Sequence, residues 1–189
     1  TGAAYAEAQL WPLLEVLRGH DCWIIVDEIY GDLVYDGFRH VSINALTDEF
    51  RERVVVVDGV SKTFAMTGWR IGWSLAPASL TRALDVVQGQ STTNAAAVSQ
   101  AAAVAALNGP RDEVHAMRAA FARRRSLMVR GLNALPGVRC RMPEGAFYAF
   151  DDVSGLYGLS HAGRTLASDG EVADWLLETA HVATVAGTP

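Results

Sequence analysis

Two stretches of this sequence decide its fold, Cys22-Trp-Ile-Ile-Val26 and Val54-Val-Val-Val57. Each is a short, continuous apolar run, as expected for a strand of a parallel sheet that is covered on both faces. The runs end abruptly in polar residues, in Asp27-Glu-Ile-Tyr30 and in Asp58-Gly-Val-Ser-Lys62. Ligands collect at the carboxyl ends of the strands of open α/β sheets. We therefore expect a ligand site among the residues that follow these two strands.

The segments around these runs alternate between helical and strand patterns. Apolar residues at helical spacing predict a helix over residues 6–18, and residues 71–76 are typical of a third strand. Strands that alternate with helices indicate an α/β layered domain. Further helices are predicted over residues 78–88, 95–107 and 111–135.

The helical pattern breaks at Asn108-Gly-Pro110, which divides the sequence into two parts. We expect residues 1–109 to supply part of an α/β domain, and residues 110–189 to supply part of a smaller α+β domain. In the second part the pattern predicts antiparallel strands over 138–142 and 147–151, a loop over 155–170, a helix over 171–180 and a final buried strand over 181–185. Because the chain starts without Met and ends just after that strand, we expect it to be a piece of a longer polypeptide.

Composition and charge argue against several classes of function. The chain has 189 residues, of which 50% are hydrophobic and 20% charged, and this balance excludes a disordered chain. Its net charge of −5 argues against bulk electrostatic binding to nucleic acid, and no apolar run is long enough for a transmembrane helix. The histidines lack metal-binding spacing, and no GxSxG or GxGxxG pattern occurs, so we expect no metal, serine-hydrolase or nicotinamide site. Cys22 and Cys140 form no CxxC motif, which fits a reducing cytoplasm.

Lysine is nearly absent from the chain. Of the 16 basic residues, Lys62 alone is a lysine and the rest are arginines. Arginine stays protonated, so it cannot replace lysine where chemistry needs a neutral, nucleophilic amine. The count alone leaves open that one lysine survived by accident, and the surroundings of Lys62 must decide.

Five groups of different chemistry are expected to converge on the edge of the sheet near Lys62. They are an acid, a phenol, a hydroxyl, an amine and a guanidinium, which belong to Asp27, Tyr30, Ser61, Lys62 and Arg70. Taken singly, each has an ordinary structural explanation. Asp27 could cap a helix, Tyr30 could belong to the core, and Arg70 could pair with a surface acid.

Taken together, these residues resemble a known family. Val26-Asp-Glu-Ile-Tyr30 and Ser61-Lys-Thr-Phe-Ala-Met-Thr-Gly-Trp-Arg-Ile-Gly-Trp73 resemble the class I/II aminotransferases of the pyridoxal-phosphate-dependent fold-type I group, and their aspartate-aminotransferase-like members in particular. Further segments agree in order along the chain, namely Thr1-Gly2, Gln90-Ser-Thr-Thr-Asn94, Pro143-Glu-Gly-Ala-Phe-Tyr148 and Val182-Ala-Thr-Val-Ala-Gly-Thr188. The resemblance covers nearly the whole chain. It implies part of a three-layer α/β/α large domain, followed by part of a smaller α+β C-terminal domain.

The resemblance also implies a role for each of the five groups. Lys62 would form a Schiff base with pyridoxal 5'-phosphate and then carry protons. Asp27 would keep the pyridine nitrogen protonated, and Tyr30 would donate a hydrogen bond to the phenolic oxygen of the ring. Ser61 and Arg70 would hold the phosphate. The implied reaction moves an amino group from an amino acid to a 2-oxo acid.

The implied assembly is a homodimer with its active sites at the subunit boundary, and residues 90–94 are a candidate for that boundary. Several residues that the family uses lie outside this sequence. They include an asparagine expected just before Thr1 and the substrate-carboxylate arginine expected beyond Pro189. Ala186 stands where many relatives have proline. We therefore expect the separate fragment to have little or no activity.

Two other functions stay open at this point. The same cofactor also serves β-elimination and decarboxylation, and the residues that would distinguish these reactions from transfer are missing. A non-catalytic regulatory module can also keep an aminotransferase fold.

Overall fold

A three-stranded sheet carries the strand ends at which the predicted site lies. The computed structural model describes residues 1–161 and 163–188, and the sheet comprises β1 (Ile24–Asp27), β2 (Val54–Gly59) and β3 (Gly72–Leu75) in that order. β1 and β2 are parallel, with Ile24 opposite Val54 and Asp27 opposite Val57, as the two apolar runs predict. β3 runs antiparallel to β2. The residues that follow β1 and β2 and those that precede β3 therefore lie at one edge of the sheet.

Helices precede the sheet and follow it, and one short helix lies between β1 and β2. They are α1 (Glu7–Arg18), α2 (Ile43–Leu46), α3 (Ala78–Ser91), α4 (Ala97–Asn108) and α5 (Asp112–Asn133). At the start of α1 the side chain of Gln9 accepts a hydrogen bond from the backbone N–H of Ala6 at 2.9 Å, and Gly19 follows its last turn. The four longer helices confirm the helical patterns to within a few residues at each end. No helix in the described part of the chain is both long enough and apolar enough to cross a bilayer.

The core beside the sheet is built from α1, α2 and one face of the strands. Its buried cluster consists of Leu14, Ile24, Ile43, Phe50, Val54 and Val56. On the opposite face Ile25 of β1 is 72% exposed, whereas its neighbour Val55 in β2 is buried at 7%. Among the described residues, the expectation that both faces are covered therefore holds for the central strand β2 and is wrong for β1. An apolar run predicts a strand, but the layers that pack on it come from distant parts of the chain.

The chain divides into two compact units. The first comprises Ala3–Ala120 together with Glu144–Ala146, and the second comprises Thr1–Gly2, Phe121–Pro143 and the residues from Phe147 onward. Residues 144–146 join the first unit through an isolated antiparallel bridge between Val34 and Gly145. The division at residues 109 and 110 stays a prediction about domains.

The second unit contains short antiparallel strand pairs and one helix. β4 (Arg139–Cys140) pairs with β5 (Asp151–Asp152), so the predicted antiparallel pair is present but shorter than expected. β6 (Ser160–His161) and β7 (Arg164–Thr165) form a hairpin inside the segment predicted as a loop, and that prediction is corrected accordingly. α6 (Asp169–Trp175) starts two residues before its predicted position and continues as a π-helical turn. The hydroxyl of Ser168 caps α6 by accepting a hydrogen bond from the N–H of Glu171 at 3.2 Å.

The prediction of a final buried strand over residues 181–185 is wrong. These residues have no strand conformation, and the side chain of Val185 is 95% exposed. A strand needs a neighbour to pair its backbone groups. Within the described ranges no strand pairs with this segment, although its composition is apolar.

Candidate active site

Asp27 lies at the carboxyl end of β1. Its backbone is opposite Val57 of β2, and its side chain is exposed. One carboxylate oxygen of Asp27 accepts a hydrogen bond from the N–H of Ile29 at 3.0 Å, so the chain turns directly after the strand. The N–H of Glu28 donates to the carbonyl oxygen of Val57 at 2.9 Å. The Asp27 carboxylate is thus held at the edge of the sheet.

Lys62 and Tyr30 come together at the same edge. The side chain of Val60, fully buried at 0% exposure, anchors the segment that follows β2. The next two residues, Ser61 and Lys62, are half-buried. The Nζ atom of Lys62 lies 5.8 Å from the centroid of the Tyr30 ring. Tyr30 follows β1 and Lys62 follows β2, so the two side chains meet from neighbouring strands.

Arg70 lies at this edge, just before the start of β3. It follows the short 3₁₀ helix Thr67–Trp69 and adopts a left-handed conformation with φ of 52°. Its side chain is exposed, and one guanidinium nitrogen donates to the carbonyl oxygen of Thr67 at 2.9 Å. Because β2 and β3 are antiparallel, Arg70 and Ser61 lie at the same end of this strand pair.

Two glycines allow β2 and β3 to approach closely at this end. Gly59 is opposite Gly72, and a Cβ atom on Gly72 would lie 2.9 Å from the backbone carbonyl oxygen of Asp58. A side chain at that position would push β3 away from β2. The two glycines therefore help to set the position of the segment that precedes β3, which carries Arg70.

A second group of charged side chains, which the sequence pattern did not reveal, lies beside these residues. Glu28, His40 and Asp58 line a polar cavity of about 330 Å³. An Nε2–Oε2 distance of 3.2 Å joins His40 to Glu28. The position of Glu28 next to Asp27 was visible in the sequence, but nothing in the pattern showed which residue would meet it.

Each of these three groups has a displaced pKa. Burial raises the pKa of Glu28, but the His40 imidazole and the Ser42 hydroxyl beside its carboxylate outweigh burial and hold this pKa below its ordinary value. The adjacent Glu28 carboxylate raises the pKa of His40 against the opposing effect of burial. Burial also raises the pKa of Asp58, although the backbone N–H of Gly59 donates to its carboxylate at 2.6 Å. The Glu28–His40 contact is therefore an ion pair while His40 is protonated.

The acidic and histidine side chains do not form a metal centre in the described ranges. Across residues 1–161 and 163–188, no group of three or more His, Cys, Asp or Glu side chains could hold a metal ion.

Comparison with known proteins identifies the family. The sequence profile described as aminotransferase class I and II matches residues 1–189. This chain belongs to that family. Among curated proteins, the aspartate aminotransferase of Rhizobium meliloti strain 1021 is 48% identical over 190 residues, which is 100% of this chain and 46% of that protein. The aspartate/prephenate aminotransferase of Cereibacter sphaeroides is 44% identical, over 99% of this chain and 47% of that protein.

Solved structures agree with this class I and II aminotransferase membership. The crystal structure of the Rhizobium meliloti aspartate aminotransferase superposes with a TM-score of 0.93 at 47% identity, over 98% of this chain and 47% of that chain. The Thermus thermophilus aspartate aminotransferase with maleate gives a TM-score of 0.86 at 37% identity, over 100% of this chain and 46% of that one. The predicted family and its α/β fold are therefore confirmed. The chain spans about half the length of the curated relatives it matches.

Proposed function

We propose that the protein carrying this chain is a pyridoxal-phosphate-dependent aminotransferase, which moves an amino group from an amino acid to a 2-oxo acid. The observation that carries the proposal is the position of Lys62. This residue is the only lysine of the chain, and its Nζ lies 5.8 Å from the centroid of the Tyr30 ring at the edge where Asp27 ends β1. Membership in the class I and II aminotransferases supports the same conclusion.

The side chains at this edge fit pyridoxal phosphate. An aldehyde requires a primary amine as its covalent partner, and Lys62 supplies one. A protonated pyridine nitrogen requires an acidic partner, and the exposed carboxylate of Asp27 suits that role. A phosphate is held by charge-assisted hydrogen bonds, for which the Arg70 guanidinium and the Ser61 hydroxyl are suited.

The residues of the chain then divide the work of the reaction. When bound, pyridoxal phosphate supplies an electron sink for the electron pair that remains after a substrate amino acid loses its α-proton. The amine of Lys62 would hold the cofactor and, once released, would hold and move that proton as a general base and acid. Asp27 would hold a negative charge for the pyridine nitrogen, and the hydroxyl of Tyr30 would donate a hydrogen bond to the ring oxygen.

We propose aspartate as the amino donor to test first. Two of the similar curated proteins are named for aspartate and for aspartate/prephenate, and the similar Thermus protein is described with maleate, a dicarboxylate. These names support a dicarboxylic amino acid as the substrate class.

The test of the reaction is a visible-spectrum titration of the whole protein loaded with pyridoxal phosphate. We expect aspartate to change the absorption of the bound cofactor, and a 2-oxo acid such as 2-oxoglutarate to restore it. The Lys62→Ala variant is the matched control and should show no such cycle. Release of ammonia or pyruvate, without restoration of the cofactor absorption by a 2-oxo acid, would show that the reaction is elimination and not amino transfer. Cofactor binding without any response to amino acids would point to a regulatory module.

We further propose that the whole protein is a cytoplasmic homodimer. The exposed residues 90–94, at the end of α3, are the candidate for the subunit boundary, and two free cysteines, Cys22 and Cys140, fit a reducing compartment. Light scattering of the whole protein should give twice the mass of one chain. The mass of a single chain would contradict the dimer.

A further inference from the structure

We propose that the Glu28–His40 ion pair positions Asp27 and Tyr30 for the cofactor. Protonation of His40 keeps the turn that carries both residues in one ordered conformation. This inference rests on the proposed function and assigns two positioning residues to the same site. Neither Glu28 nor His40 needs to touch the cofactor. They would act through the backbone turn that follows β1.

Glu28 lies between the two residues that it would position. It directly follows Asp27, and its side chain is 9% exposed, whereas that of Asp27 is exposed. The Glu28 carboxylate meets His40 at 3.2 Å and accepts a hydrogen bond from the backbone N–H of Ile43 at 3.4 Å. The end of β1 is thereby tied to the first residue of α2.

His40 packs against the other end of the same turn. A Cβ atom on Gly31 would lie 2.9 Å from Cδ2 of His40, so the imidazole is packed against the backbone directly after Tyr30. The N–H of Gly31 donates to the carbonyl oxygen of Glu28 at 2.7 Å and closes the turn. The pair therefore contacts the turn at both ends, and Tyr30 lies between those contacts.

The charge on His40 matters because the surrounding side chains are mainly acidic. Asp58 and Asp32 act on His40 along with Glu28, and all three raise its pKa. The cationic side chains nearby are those of Arg39 and Arg118, which line the same cavity, and Arg111, which pairs with Asp32 at 2.7 Å. When His40 loses its proton, the Glu28 carboxylate loses its cationic partner in a partly buried place. We expect the turn to become less ordered as a result.

The test measures amide hydrogen exchange in the whole protein without cofactor, in wild type and in His40→Gln. Glutamine keeps a neutral hydrogen-bond donor, so this variant removes the charge. At pH 6 we expect the protection of the Ile29 and Gly31 amides to fall roughly three- to tenfold in the variant, which is the range for a partly screened ion pair. At pH 9 the difference should vanish, because the wild-type imidazole is then neutral as well.

Variants and controls separate the ion pair from packing. Glu28→Gln should lower protection as His40→Gln does, and the double variant should add little beyond either single change. His115→Gln and Glu52→Gln alter exposed residues of the same types and should leave the turn unchanged. With cofactor added, the dissociation constant of pyridoxal phosphate should rise in His40→Gln at pH 6 and match that of wild type at pH 9.

The outcomes distinguish this inference from the proposed function. Equal protection in His40→Gln and His115→Gln at pH 6 would overturn the positioning role. A loss of protection that is the same at pH 6 and pH 9 would also overturn it, since packing alone would then explain the loss. Should the variants fail to fold, hydrogen exchange of the wild-type protein still tests the inference. The protection of its Gly31 amide must then fall as the pH rises through the pKa of His40. Whether Lys62 holds the cofactor covalently is decided separately, by reduction and peptide mapping of wild type.

Discussion

The ammonium nitrogen of Lys62 lies 5.8 Å from the centroid of the Tyr30 ring. The two residues follow different strands, and the parallel pairing of β1 with β2 brings them to one edge of the sheet. An amine beside a phenol, with a carboxylate at the end of the adjoining strand, is a suitable arrangement for holding an aldehyde on an aromatic ring. The proposed function depends on this relationship.

Replacement of Lys62 separates covalent capture of the cofactor from its binding. Lys62→Arg keeps the charge but removes the nucleophilic amine, so amino transfer should fall at least about a thousandfold. Lys62→Ala should behave likewise and should still bind pyridoxal phosphate weakly through the phosphate contacts. Assays of transfer and equilibrium dialysis of the cofactor measure the two effects. Near-normal transfer in either variant would exclude Lys62 from the chemistry.

Asp27→Asn should lower activity far more than stability. The asparagine oxygen can still accept the hydrogen bond from Ile29, so the free energy of unfolding should change by less than about 1 kcal/mol. Activity should fall on the order of a hundredfold, because the negative charge beside the pyridine nitrogen is lost. Asp21→Asn, at an exposed site outside the sheet, is the control. Matching losses of activity and stability would make Asp27 a structural residue.

The Glu28–His40 pair should make stability depend on pH. Because the pKa of His40 is raised, its contribution to stability is complete below pH 6.5 and is lost as the pH rises through the folded-state pKa. The lowered pKa of Glu28 means that its contribution is present above 4.5 and is lost at lower pH. Wild type should therefore exceed His40→Gln by about 1 kcal/mol between these two values, since water screens the partly exposed pair. Chemical denaturation from pH 4 to pH 9 measures this, and a difference that does not vary with pH would contradict it.

Leu14 and Leu13 provide a matched test of the core beside the sheet. Leu14 is 1% exposed and belongs to the buried cluster, whereas Leu13 is 46% exposed on the same helix. Leu14→Ala should lower the free energy of unfolding by about 2–5 kcal/mol, because a cavity remains in the core. Leu13→Ala should cost much less in the same denaturation experiment. Similar costs for the two variants would show that the core has been assigned to the wrong face of α1.

Much of the candidate site could be located from local sequence, because it follows strand ends. The two apolar runs predict β1 and β2 and their parallel pairing, and the polar residues that follow them are Asp27 and Lys62. The direction of β3 was not predicted, since an apolar run shows a strand but not its pairing. The close approach of Gly59 and Gly72 is likewise visible only once the strands are paired.

Features that depend on distant parts of the chain could not be predicted. The contact between Glu28 and His40 follows from the path of the segment that joins them, and no periodic pattern records that path. The apolar residues 181–185 suggest a strand, yet no strand of the described residues pairs with them. Local patterns show which backbone conformations suit a segment, whereas its partners are set by tertiary packing.

The most direct test of the central claim is reduction of the whole, cofactor-loaded protein with borohydride, followed by peptide mapping. Reduction fixes a pyridoxyl group on the amine that holds the cofactor, and Lys62 is the only lysine of this chain. We predict the added mass on the peptide that contains Lys62, and its absence from that peptide in Lys62→Arg. A pyridoxyl group on another residue, or none anywhere in the protein, would contradict the proposed function.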